Sequence, residues 1–122
     1  MRVLVIGLGM TLLCASCAHE GHQPPLDLSE VPDSVLSRDL YIHVLTDVML
    51  VEAARKQRVF RNDNDSLKIE QALSQVFEEH GTSAEAFEVA QRWWFGQGEA
   101  IVAILQEVTE AMSNQERDFE NR

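Results

Sequence analysis

Beyond Pro32 the sequence repeats one pattern: apolar residues recur every three or four positions, in stretches broken by polar or glycine-containing segments. That spacing is the period of an α-helix, and no stretch shows the strict alternation of a half-buried strand. The first stretch, about Ser37 to Arg58, places Leu40, Tyr41, Val44, Leu45, Val48, Val51 and Ala54 on one broad stripe. Ile42, Met49, Leu50 and Ala53 add a second apolar patch opposite. A helix apolar on two sides is central in its bundle or lends one face to a partner. Ser37 is placed to cap its start, and Arg55-Lys56-Gln57-Arg58 puts positive charge where the helix dipole favours it.

The polar loop Arg61 to Ser66 has the look of a calcium loop. However, Leu67 takes the next alternate position and no glycine follows for the turn, which excludes an EF-hand. Asp65 or Ser66 is expected to cap a second helix that runs to His80, with Ile69, Ala72, Leu73, Val76 and Phe77 on one face. Gly81 ends it as a left-handed residue, leaving His80 beside the negative end of the helix dipole. Thr82-Ser83-Ala84-Glu85 reads as a capping box for a third helix reaching about Trp94. Ala86, Phe87, Val89, Ala90, Trp93 and Trp94 fall within half of its surface, so both tryptophans are expected to be buried. Gly96-Gln97-Gly98 breaks it. A fourth helix starts near Glu99 with Ala100, Ile101, Ile104, Leu105, Val108, Ala111 and Met112 on its stripe. It fades around Ser113 into a polar tail that should fray. The expected fold is all-α: a small antiparallel bundle of three to four amphipathic helices occupying residues 33–122.

The N-terminal residues read as targeting. Arg2 supplies a positive start, and Val3 to Leu13 is too short to span a bilayer as a helix but suits a secretory signal. Cys14-Ala15-Ser16-Cys17 follows, and the small pair Ala15-Ser16 before Cys17 fits a lipobox, although Cys14 stands where leucine is usual. Anchoring at Cys14 instead would put bulky Leu13 at the cleavage position. An ordinary secretory signal with an incidental cysteine is the plainer alternative. The expectation is a signal peptide over 1–16, then a lipidated Cys17 and flexible tether over 17–32. The bilayer is then the first partner, held through palmitate-type acyl chains, and two or more chains anchor stably. With Cys14 removed and Cys17 acylated, no cysteine remains for a disulfide or a metal. Pro24-Pro25 favours an extended spacer. His19 and His22 have no further ligand nearby, so no metal or cofactor is expected. Ala18 is not a retention signal and no acidic run follows Cys17, which points to the periplasmic side of the outer membrane.

Charge narrows the partners. The chain carries a net −10, and loss of Arg2 with residues 1–16 would make it −11. Such a body repels nucleic-acid phosphates, so no nucleic acid is expected as a partner.

Several short elements carry a resemblance. Leu45, Asp47, Glu52 and Ala53 form L-x-D-x-x-x-x-E-A; Gly81, Ser83 and Phe87 form G-x-S-x-x-x-F; Trp93-Trp94 is a paired-aromatic element. From about Pro25 to Met112 the chain resembles the domain of unknown function (DUF) 4296 family of small lipoproteins in Gram-negative bacteria. Members tend to carry serine where this chain has Ala90, and Tyr-Tyr where it has Trp93-Trp94. Any nucleophilic role for that serine therefore cannot apply here. The resemblance implies a helical lipoprotein and supplies no activity.

Enzymatic function is not expected: no serine sits in a strained elbow, and the helical part holds only His43 and His80 as imidazole bases. Two functions remain. One is a non-catalytic interaction module or accessory subunit bound to another, unknown envelope protein. The alternative is a carrier or holdase that takes an apolar ligand between its helices, in a cavity lined by Trp93, Trp94 and Met49. Asp47, Glu52, Trp93 and Trp94 are the candidate partner-binding or structural residues. Asp47 falls inside the apolar stripe of the first helix and needs a donor there, from Arg92 or from the start of the third helix near Thr82. Cys17→Ala should move the protein from the membrane fraction to a soluble periplasmic form, read by fractionation. An unacylated variant that stays on the membrane contradicts the lipobox assignment.

Overall fold

The structure, a computed structural model, describes residue 27, residues 30–57 and residues 65–122. The readings on the signal peptide, Cys17, His19, His22 and most of the tether lie outside the described residues. Four helices follow in order: α1 (Arg38–Lys56), α2 (Asp65–Glu79), α3 (Ala84–Phe95) and α4 (Glu99–Glu120), with no strand among the described residues.

α1 is the central element, packed against α2, α3 and α4. Tyr41, Ile42, Val44, Leu45 and Thr46 are all buried, but of the second apolar patch only Ile42 is: Met49 is exposed, and Leu50 and Ala53 are half-buried. Thr46 satisfies its hydroxyl within the helix, donating to the Ile42 carbonyl at 2.8 Å. Ser37 caps the start, accepting from the Leu40 N–H at 3.4 Å. Val31, Val35 and Leu36 pack on the core ahead of this cap, so the chain is fastened to the bundle before α1 begins.

Aromatic rings link the helices. Phe77 of α2 meets Phe87 of α3 at 5.6 Å between centroids, and Phe87 meets Tyr41 of α1 at 5.8 Å. Tyr41 stacks on Trp94 at 6.2 Å, and Trp93 meets Trp94 edge-on at 4.7 Å. Trp94 is fully buried and its indole N–H donates to the Leu36 carbonyl at 3.1 Å, so its polar atom is satisfied. Trp93 is only partly buried, lying at the edge of the same packing.

Three helix boundaries differ from the sequence reading. α2 starts at Asp65, so Ser66 lies inside the helix rather than capping it. Ser83 caps α3, accepting from the Ala86 N–H at 3.1 Å, and Thr82 does not form the expected capping box. Thr82 belongs instead to the end of α2, where its N–H donates to the Phe77 carbonyl at 2.9 Å. α4 does not fade at Ser113: it continues to Glu120, with residues 113–120 helical and exposed. Asn114 and Ser113 accept from Arg117, and Gln115 and Glu116 are sound helix formers, so the last turns hold without tertiary cover.

The Tyr41 hydroxyl is buried without a hydrogen bond, and desolvation pushes its pKa up to about 12. The native state thus holds this proton more tightly than the unfolded chain. Its contribution is intact below the ordinary value of 10.0 and is lost as pH rises through about 12. Tyr41→Phe should leave stability at pH 7 unchanged or raise it by about 1 kcal/mol, because it removes an unpaired buried hydroxyl. It should also flatten the alkaline fall, measured by urea unfolding against pH. Trp94→Ala should lose about 3–5 kcal/mol, and Trp93→Ala less.

Candidate functional site

The polar cluster with the most chemical potential lies where α1 meets the turn after α2. α1 places His43 and Asp47 one helical turn apart on the same side. The α2 terminus supplies the third group. Gly81 takes φ 63°, its N–H donates to the Glu78 carbonyl at 3.0 Å, and Thr82 N–H reaches Phe77; together these form a Schellman cap. His80 is the residue before that glycine, and the tight turn sends its side chain back across α1. Its Nε2 lies 2.7 Å from Asp47 Oδ2, with the two side chains 22% and 33% exposed. The exposed His43 ring stacks on His80 at 6.5 Å between centroids.

This corrects the expected donor for Asp47. Neither Arg92, which is exposed on α3, nor the α3 start reaches it. His80 was assigned to the helix dipole, whereas its ring leaves the α2 axis for the carboxylate. Glu52 stays apart, bonded to Arg55 within α1 at 2.7 Å. Trp93 and Trp94 belong to the aromatic packing and do not touch the cluster. A second ion pair escaped the sequence reading: Arg38 holds Glu107 of α4 through both carboxylate oxygens, at 2.5 and 3.2 Å. The hydrogen bond raises the Arg38 pKa and lowers that of Glu107.

An imidazole bonded to a carboxylate is the base half of a nucleophilic triad, and completing it takes a hydroxyl or thiol on the free ring nitrogen. Among the described residues no hydroxyl is hydrogen-bonded to His80; Thr82 Oγ1 is buried without any partner. Nor are three His, Cys, Asp or Glu residues grouped to hold a metal ion among the described residues. The arrangement fastens one helix to a turn.

Among the described residues, two surface grooves flank α3. One, of about 440 Å³, runs between α2 and the start of α3 along Leu73, Phe77 and Ala84, with Glu70, Glu78 and Glu85 at its margin. The other, of about 360 Å³, lies on the outer face of α3 at Glu88, Gln91, Arg92 and Phe95. Neither is lined by Trp93, Trp94 or Met49.

These features define a small all-α bundle. The chain belongs to the family described as Domain of unknown function (DUF4296), whose profile matches residues 32–118. The match starts later than the sequence resemblance and runs past Met112, taking in most of the overhang of α4. No curated protein and no solved structure matches the chain. The residues that carry the resemblance now have places: Leu45 and Phe87 are buried in the core, Gly81 and Ser83 shape the α2–α3 turn, and Asp47 clasps that turn through His80.

Asp47→Asn should lower stability by about 1 kcal/mol, because the bond loses its charge but keeps its shape and is partly solvated. In a domain of this size that is a fall of roughly 4–8 °C in melting temperature. His80→Gln should lose a similar amount, and the double variant should lose less than the sum. Additive losses in the cycle would show that the two side chains do not support each other.

Proposed function

We propose that the protein is a membrane-anchored lipoprotein acting as a non-catalytic interaction module, an accessory subunit of a cell-envelope assembly. Acylated Cys17 would hold it at the periplasmic side of the outer membrane. The observation that carries this reading is the contrast between a closed core and an uncovered α4 surface. Trp94 is fully buried and its one polar atom is taken by Leu36, whereas Val102 and Leu105 are 58% and 41% exposed. Exposed apolar side chains on an otherwise acidic body favour contact with a protein. The same observation weighs against a carrier. Met49 stands at the surface of α1, so it and Trp94 do not line a common cavity.

The polar cluster supports the non-catalytic reading in the same way. No hydroxyl or thiol among the described residues is hydrogen-bonded to the dyad as the nucleophile of a triad would be. Among the described residues, no helix is long and apolar enough to cross a membrane, so the reading assigns membrane attachment to the lipid at Cys17.

Affinity purification of the native protein from detergent-solubilised membranes, with mass spectrometry of what accompanies it, tests the reading. A protein partner should be recovered in near-stoichiometric amount, and the folded fraction of Asp47→Asn should recover it equally. Recovery of a lipid or other apolar molecule without a protein would favour the carrier, and recovery of the chain alone contradicts both.

A further inference from the structure

The outer surface of α4 carries a second apolar pattern that the bundle does not use. Val102, Leu105, Thr109, Met112, Glu116 and Phe119 follow one another at intervals of three, four, three, four and three residues. That is the spacing of a coiled-coil seam, and five of the six positions can present carbon to a partner. The core-facing residues of α4, Ile101, Ile104 and Val108, form a separate stripe beside it. Val102 and Leu105 are more than two-fifths exposed, Phe119 is 83% exposed, and Met112 is half-buried where the two stripes meet. The Thr109 hydroxyl donates to the Leu105 carbonyl at 2.8 Å, which spends its polar atom within the helix. The last turns, residues 113–120, stand exposed yet remain helical, which carries the seam beyond the bundle.

Charge selects the occupant. α4 carries Glu99, Glu107, Glu110, Glu116, Asp118 and Glu120 against the single Arg117. Glu107 is engaged by Arg38, and Arg117 turns back to Ser113 and Asn114 of its own helix. Of the remaining carboxylates, Glu110 and Asp118 lie on the far side of the helix, whereas Glu99 and Glu120 flank the seam and Glu116 sits in it. A second copy would bring the same carboxylates against these, on a body already at −10. A helix with lysine or arginine beside its apolar stripe would neutralise them. We propose that the Val102–Leu105–Met112–Phe119 seam of α4 docks a basic amphipathic helix of another protein. This rests on the interaction-module reading and names its surface and partner chemistry.

The test uses the full-length chain in detergent and two labelled synthetic peptides followed by fluorescence anisotropy. Both peptides carry the same leucine seam, one with lysine and arginine flanks, the other with glutamate flanks. The basic peptide should bind at least about tenfold more tightly, with affinity falling as salt rises. Val102→Asp and Leu105→Asp should each weaken it about tenfold or more while leaving the melting temperature in place, because both side chains already face water. Equal binding of the two peptides, or full binding by Leu105→Asp, overturns the proposal. Sedimentation velocity adds a further arm: a dimer abolished by Leu105→Asp would assign the seam to a second copy and also overturn it. If the membrane partner is still recovered with Leu105→Asp, the module reading stands and only this surface fails.

Discussion

Trp94 packed on Tyr41, with its indole N–H on the Leu36 carbonyl, ties the start of α1 to the end of α3, and the neighbouring elements are placed around that tie. Each large ring removes about 150–250 Å² from water, and a domain of this size has only about 5–15 kcal/mol of net stability. A few such contacts therefore decide whether the bundle forms. Phe87 extends the contact to Phe77 and so to α2, and the segment Val31–Leu36 is drawn onto the same core. The unpaired Tyr41 hydroxyl is the one polar atom this packing leaves unsatisfied on those rings.

Around the apolar tie, two polar joints set angles rather than supply most of the stability. Asp47 and His80 fix the α2–α3 turn against α1, and Arg38 and Glu107 fix α4. Both are partly solvated, where such pairs contribute little net stability. Their value is geometric: each joins residues far apart in sequence. The imidazole–carboxylate pair is one of these joints. The interaction proposed for the protein instead uses the exposed apolar side chains of α4.

The helices were legible because their apolar residues recur at the helical period and their ends carry strong local signals. Ser37 and Gly81 act as read, since a cap hydroxyl and a left-handed glycine depend only on their neighbours. Thr82 misled for the same reason in reverse. Two overlapping motifs compete for it, and the Schellman cap takes its N–H, which shifts the α3 cap to Ser83. The end of α4 was read from polarity, but a helix already nucleated by a packed stretch continues through good helix formers without burying them. Asp47 was legible as a carboxylate in need of a donor, whereas the donor was not. Nothing local places His80 across from it until the turn geometry is known. The outward seam on α4 was hidden because Leu105 and Met112 were absorbed into the core stripe.

The central claim is that the protein works through an uncovered face of α4 while the Asp47–His80 joint holds the fold. Hydrogen exchange, comparing the purified protein with the same protein in native membranes, tests it most directly. In isolation the amides of residues 113–120 should exchange rapidly and those around Tyr41 and Trp94 slowly. In membranes, protection should rise along α4 from Val102 onward and stay unchanged at the α2–α3 turn. Protection that rises at His43, Asp47 and His80 while α4 remains unchanged would contradict the account.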